Sequence, residues 1–530
     1  MIRDRLTRRA DYGRVGDNDD IPDVCKTASG VPEASVIMSR LLPSQGVGPP
    51  LTTLNQAAAT ASVLTKESGL ARELSTRQMA MIAIGGAIGT GLFLGSSLAV
   101  HTAGPAVLVC YLLGAGIALL LMGTLSEMAV AHPTAGSFGV YAELYLNRWA
   151  GFVVRYTYWA CQCIAIGGEA TAVAIYCRWW FPQVPPWAWI VLFSLLLVGL
   201  NATGVGNFGE FEYWFAMIKV VAILAFIGFG AIVLFGLIPG EPHPGLSNFT
   251  SGSFFPNGAS GMWMAMCFVI FSYIGTEVVA VTAGEAQKPD QAIPRAMKSM
   301  VFRLIFFYLA AMVVLVGVVP WQSIQPGADV TASPFVTVFR LMRVPAATHL
   351  MNFVVLTAAL SSMNCDLYLS TRMMFSLARG GYAPSALGKL TRLGVPLPAL
   401  LSSTIGLAIA TVAAIRYPAS AYVYLFGIAL FGGLFVWMMI FITHLSFRRA
   451  WEARGNRRLP VRMMGYPYTS ILGALAVAAI ITTTWWVPGM RPTVLAGLPW
   501  LALLTIAYWL FGRAGAGHSE PRSLRRHRKC

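Results

Sequence analysis

From about residue 79 to residue 513 the chain alternates long uncharged apolar runs with short stretches that are polar, charged or rich in Pro and Gly. A run of roughly 20 apolar residues is long enough to cross a bilayer as a helix. Twelve such runs are read, near residues 79–100, 105–130, 151–180, 186–205, 212–238, 258–284, 299–320, 348–378, 398–416, 421–447, 467–488 and 495–513. The apolar stretch 333–342 is too short to span and is read as a surface helix in the loop before the eighth run. The pattern predicts an all-α polytopic membrane protein with about twelve transmembrane helices.

The first run, MAMIAIGGAIGTGLFLGSSLAV, carries Gly85, Gly86, Gly89, Gly91 and Gly95. Each glycine weakens a helix by roughly 1 kcal/mol relative to alanine. A plain anchor has no use for that penalty. A helix that breaks at mid-membrane does, because backbone freed there can bind a polar solute. Close helix packing of the small-xxx-small kind is the competing use, and Gly85 with Gly89, and Gly91 with Gly95, have that spacing.

Composition agrees with the pattern: the 530 residues are 56% hydrophobic and 11% charged, against about 25% charged in a soluble protein. The net charge of +16 is distributed by side of the membrane. With the N-terminus in the cytoplasm, 32 Lys and Arg fall on the cytoplasmic side and 5 opposite, with Lys219 inside the fifth run. That asymmetry is the positive-inside signature and puts both termini in the cytoplasm. The basic end Arg525-Arg526-His527-Arg528-Lys529 then reads as attraction to anionic lipid rather than to nucleic acid. Residues 1–74 lack the apolar core of a secretory signal and read as a disordered cytoplasmic tail; Met38 offers a second start for the same membrane domain. The organisation expected is this tail, a transmembrane domain over 75–513, and a basic tail over 514–530. Eight cysteines show neither a CxxC pair nor zinc spacing, so reduced thiols are expected, with no metal and no cofactor. No feature of the chain sets an oligomeric state.

An internal repeat is visible. Ile88-Gly89-Thr90-Gly91 in the first run matches Ile274-Gly275-Thr276-Glu277 in the sixth, 186 residues later. Runs one and six are equivalent if the first ten form two halves of five. Five is odd, so the halves enter the membrane from opposite sides, as inverted repeats of secondary transporters do. The first repeat would cover about 79–238, the second about 258–447, with two extra helices over 467–513. A break at Gly89–Gly91 would aim amides and a positive helix end into the gap, where a carboxylate binds without a charged side chain. Thr90 adds a hydroxyl donor. A break near Gly275 would release carbonyl oxygens that accept from an ammonium. An amino acid zwitterion satisfies both.

Charges inside a span are functional candidates by default. Lys219 lies in EYWFAMIKVVAILAF and is read either as a proton-exchanging amine or as a static tether on broken-helix carbonyls. Glu169, in GGEATAV, is a proton carrier, a partner for a polar substrate side chain, or a paired structural carboxylate. Glu277 follows the second break and bonds its amides or relays a proton. Glu127 and Asp366 fall near cytoplasmic ends, where they can snorkel or pair with an arginine such as Arg372; Asp366 is read as part of a gate salt bridge. Glu285 and Lys288 read as loop anchors.

The chain resembles the amino acid transporter family of the amino acid–polyamine–organocation (APC) superfamily. The likeness covers about residues 72–512. It is carried by LSTRQMAMIAIGGAIGTGLFLGS, the AGP at 103–105, SEMAVAHPTAGSF, FGEFEYWFAMIKV, GEAQKPDQAIPRA, MNFVVLTAALSSMN and STRMMFSLARGGYAP, in that order. It implies a five-plus-five inverted-repeat fold with two C-terminal helices, and amino acid uptake driven by protons. It assigns the substrate carboxylate to Thr90 and Gly91, the ammonium to the carbonyls of Ala87, Phe271 and Ile274, a lid to the Phe271 ring, and the place of a sodium ion to Lys219. Two departures stand out: Arg155-Tyr156-Thr157-Tyr158-Trp159 where relatives often have Gly-Trp-Asn-Tyr-Trp, and Asn364-Cys365-Asp366 where they often have Asn-Ser-Gly.

Other classes fit poorly. There is no HExxH, GxSxG or Walker loop, and the histidines do not cluster, which argues against a membrane-embedded enzyme. A channel needs a ring of pore residues rather than one asymmetric midplane site. A sodium-coupled carrier or an exchanger is the nearer alternative. A pocket around Phe271, Tyr273, Cys163 and Ala165 would be mostly apolar and suit a neutral amino acid.

Overall fold

The computed structural model describes residues 60–93, 95–237, 245–250, 252–324, 334–341, 346–417, 421–453, 459 and 461–512. The chain divides into two units, 1–65 and 66–530. Of the first, only residues 60–65 are described, and they are helical. The basic tail over 514–530 and most of the N-terminal tail lie outside the described residues.

The second unit is helical, and among the described residues eight helical stretches are long and apolar enough to cross a membrane, with three shorter apolar helices beside them. The first expected span is two pieces: α1 (Thr76–Ala87), then α2 (Thr90–Phe93) and α3 (Gly95–Ala103). Ser75 caps α1 with its hydroxyl on the Gln78 amide, and the Gln78 side chain returns to the Ser75 amide, a capping box written in the sequence. α4 (Val107–Ala131) follows, then a short helix not foreseen, α5 (Ser137–Tyr145). α6 (Arg148–Trp180) starts on Asn147, whose side chain accepts from the Ala150 amide at 2.8 Å. α7 (Pro186–Ala202) and α8 (Val205–Leu234) complete the first five spans.

The sixth span is broken like the first. α9 (Gly258–Val269) runs into a tight turn at Ile270–Tyr273, and helix resumes as α10 (Val278–Thr282). Then come α11 (Pro289–Val318), α12 (Pro334–Leu341) and α13 (Ala347–Arg379). The ninth span is interrupted at Thr404 between α14 (Leu397–Ser403) and α15 (Ile405–Arg416). α16 (Ala421–Ala453), α17 (Tyr468–Thr483) and α18 (Pro492–Ala507) end the domain. Long helices α6 and α13 pack along each other at the centre, beside α1 and α16.

Two expectations need correction. α12 is a helix of the expected length, but it is not on the surface: Phe335 and Val336 are fully buried. The Phe335 ring meets Phe93 edge-on at 5.1 Å and Phe226 at 4.5 Å, so its apolar side plugs the bundle. The end of the expected disordered tail is also ordered. Glu67 is buried, and Leu74 pairs with the stretch after α10 through Leu74 N to Glu285 O and Gln287 N to Leu74 O, both 3.1 Å.

Candidate functional site

The break in the first span is short and tightly held. Ile88 still donates to Ile84 O at 3.0 Å, but its ψ of 88° takes the chain off the helical path, and helix restarts at Thr90. A new helix start presents its first amides toward the gap. The Lys219 ammonium donates to Gly85 O at 2.6 Å and Ile88 O at 2.7 Å, filling the carbonyls that end α1. Lys219 comes from α8 and is fully buried.

The second break depends on Gly275. Its φ of +101° is open to glycine and strained for any other residue, and a Cβ there would strike Gly86 O. The two breaks therefore touch backbone to backbone. The Tyr308 hydroxyl fastens them further, 2.8 Å from both Ala87 O and Ser272 O. Glu277 closes the second break: it accepts from the Gly275 amide at 3.0 Å, the Tyr158 hydroxyl at 2.9 Å and the Trp437 indole at 3.2 Å. Of the carbonyls assigned to an ammonium, Ala87 O already faces Tyr308, and Phe271 O accepts from the Ile274 amide at 3.1 Å. Each carbonyl has a second lone pair to offer.

Between the breaks, α6, α13 and α16 enclose a cavity of about 50 Å³. It holds a water or two and is smaller than an amino acid. Ala87, Gly89, Thr90, Gly91, Phe271, Ile274 and Gly275 all line it, together with Glu169. Thr90 donates to Glu169 Oε1 at 3.0 Å, tying the first break to α6. A Cβ on Gly91 would lie 2.9 Å from the Phe271 ring, and one on Gly89 would strike the Ser362 hydroxyl; Gly95 has open space around it. The Phe271 ring packs on Phe426 with centroids 3.9 Å apart and closes one wall.

Several residues are placed differently from the sequence reading. Tyr273 does not line the cavity; its hydroxyl donates to Tyr111 O at 2.9 Å. Cys163 is likewise absent from the lining, whereas Ala165 is present. Asp366 is not in a gate salt bridge near the cytoplasm. It sits mid-helix on α13, lines the cavity, and accepts from Gln162 Nε2 at 3.0 Å. Arg372 pairs instead with Glu285 at 2.8 Å, which makes Glu285 a buried ion-pair partner. Glu127 neither snorkels nor meets Arg372; it is fully buried, 2.9 Å from Arg448 and 3.0 Å from His444. Glu127 does lie near a helix end, four residues before Ala131 at the close of α4, whereas Asp366 lies thirteen residues before the end of α13 at Arg379.

Sequence reading passed over Glu212. It is fully buried on α8, meets the Ser361 hydroxyl, and accepts from Asn364 Nδ2 at 3.3 Å. A Cβ on Gly85 would strike its carboxylate. A signal existed: Glu212 and Lys219 are seven residues apart, two turns, on one face of an apolar helix. Tyr308, Gln162 and Ser362 were also missed, and nothing in one sequence marks a polar residue as facing a cavity.

The chain matches the amino acid permease family over residues 78–517. It is 38% identical over 446 residues to the gamma-aminobutyric acid permease of Bacillus subtilis (strain 168), covering 84% of this chain and 94% of that one. It is 38% identical over 440 residues to the aromatic amino acid transport protein AroP of Salmonella typhimurium (strain LT2), covering 83% and 95%. A similar likeness, 36% over 442 residues, holds to the uncharacterized amino acid permease YtnA of Bacillus subtilis (strain 168).

Proposed function

Because the chain belongs to the amino acid permease family, and so is a multi-pass membrane transporter of amino acids rather than an enzyme, we propose that it imports its substrate together with protons, with both termini in the cytoplasm. The observation that carries the coupling is the Lys219 ammonium held by Gly85 O and Ile88 O at the first break. A fixed cation there leaves no need for a sodium ion to organise the same carbonyls. Glu169, bonded to Thr90, and Glu277, bonded across the second break, are the carboxylates placed to exchange a proton as the breaks move.

The substrate carboxylate meets the helix start at Thr90 and Gly91. The ammonium meets carbonyls of Ala87, Phe271 and Ile274. A cavity of about 50 Å³ admits no amino acid until Phe271 swings from Phe426, so the ring acts as a lid. The apolar pocket that favoured a neutral substrate loses Tyr273 and Cys163 from its wall and gains polar residues. The basic cytoplasmic loops are proposed to rest against anionic lipid, with no role for nucleic acid.

Uptake by proteoliposomes tests the coupling. Accumulation should follow an imposed proton gradient and collapse with a protonophore. Accumulation that follows a sodium gradient at fixed pH, and ignores the protonophore, overturns it.

A further inference from the structure

The cavity has two polar layers. In the first, Glu169 and Ser362 flank the helix start at Thr90. In the second, Gln162 donates to Asp366. Gln162 precedes Glu169 by two turns on α6, about 10 Å, and Asp366 follows Ser362 by one turn on α13, about 6 Å. The second layer thus lies about the length of an extended amino acid side chain from the first.

These layers are acidic and incompletely satisfied. Among the described residues, two carboxylates, Glu169 and Asp366, line the cavity, and no lysine or arginine does. Lys219 is spent on the carbonyls of α1. The Ser362 hydroxyl, on a residue only 4% exposed, has no hydrogen-bond partner among the described residues, and neither has Glu169 Oε2. Asp366 has a single hydrogen-bond partner among the described residues, and a neutral amide balances none of its charge. A carboxylate enclosed in protein is costly unless a cation or a proton meets it.

We infer that Gln162 and Asp366 form a recognition site for a cationic nitrogen at the far end of the substrate, so that the preferred substrates are diamino acids. The ammonium donates to Asp366 and to Gln162 Oε1, while the α-carboxylate and α-ammonium occupy the two helix breaks. The inference rests on the amino acid transport reading and adds the side-chain class to it.

Matched probes decide it. Lysine and norleucine differ by one terminal amine, as do ornithine and norvaline. Initial rates of labelled uptake into proteoliposomes holding the full chain give kcat/KM for each. The wild-type protein should favour the amine-bearing member of each pair at least tenfold. Asp366→Asn should cut that ratio tenfold or more, chiefly through KM for the diamino acid, and Asp366→Glu should restore most of it. A wild-type ratio near or below one overturns the inference whatever the variants do, and so does an unchanged ratio in Asp366→Asn. Uptake of 4-aminobutyrate or phenylalanine with neither pair transported also overturns it, yet leaves amino acid transport standing. Failure of every amino acid tested removes both.

Discussion

Charge is buried in two ways in this protein. In three clusters every acid meets a base. Glu127 holds Arg448 and His444 and accepts from the Met463 amide, tying α4 to α16 and to the segment before α17. Arg372 grips Glu285 with two nitrogens, 2.8 and 3.2 Å, and stacks its guanidinium 3.9 Å over the Tyr368 ring. Arg155 lies between Glu67 and Glu143 and donates to the Ser376 hydroxyl at 3.0 Å. Burial pushes the Glu67 carboxyl above its ordinary range, with Arg155 pulling it back. Around the helix breaks the balance is different. Hydroxyls and amides supply most of the contacts of Glu169, Glu212, Glu277 and Asp366, while the Lys219 ammonium is held by backbone carbonyls. The paired clusters can only hold elements together. The unpaired region has room in its charge balance for a proton or a ligand cation, as the proposed coupling needs.

The most severe break of the comparison removes one partner of a closed cluster. Arg372→Ala should cost roughly 3–5 kcal/mol by leaving Glu285 buried and uncompensated, read as a lowered unfolding temperature in detergent. Replacing both residues by apolar ones, Arg372→Met with Glu285→Leu, should recover most of that loss. A single variant as stable as wild type would show that the cluster is not structural. At the breaks a substitution should instead spare folding and stop transport. Gly91→Val places branched carbon against the Phe271 ring and over the carboxylate position, so uptake should vanish while the protein still inserts. Wild-type substrate affinity in that variant would remove Thr90 and Gly91 from the carboxylate site.

Lys219→Ala falls between the two regions, because this lysine both fastens α1 and sits among the acids. Concentrative uptake should drop strongly, while exchange of labelled for unlabelled substrate persists in part, since exchange moves no net proton. Equal loss of both, measured on one proteoliposome batch, would place Lys219 with the structural clusters. The smallest effect is expected from Thr90→Ala. One lost hydrogen bond should weaken binding by about 1 kcal/mol, roughly fivefold in a competition assay. Unchanged binding would mean that the hydroxyl serves only Glu169.

Much of the fold was open to sequence reading because a bilayer imposes its length scale on the chain. Each apolar run near 20 residues became a helix or a pair of half-helices, and the capping residues Ser75 and Asn147 mark two of the starts. The glycines announced the breaks, since Gly275 needs its positive φ and Gly89 and Gly91 need their missing side chains. Charges were harder to place. Glu127, Glu285 and Asp366 were each read from their place along an apolar run, but their partners Arg448, Arg372 and Gln162 come from other helices that the run does not show. α12 shows the same limit: a short apolar segment can lie on a surface or plug a bundle, and its pattern is alike in both cases.

The sequence by itself determined that this chain is a helical membrane protein, that its first and sixth spans break, and which family it belongs to, because those follow from hydrophobic length, backbone freedom at glycine and motif order along one dimension. Only the tertiary structure decided which acid meets which base and which polar groups face the cavity. Arg372 and Glu285 are 87 residues apart, Gln162 and Asp366 are 204 apart, and Glu127 and His444 are 317 apart. Such pairings depend on how each helix is rotated about its axis when it packs, and that rotation is fixed by all its neighbours together.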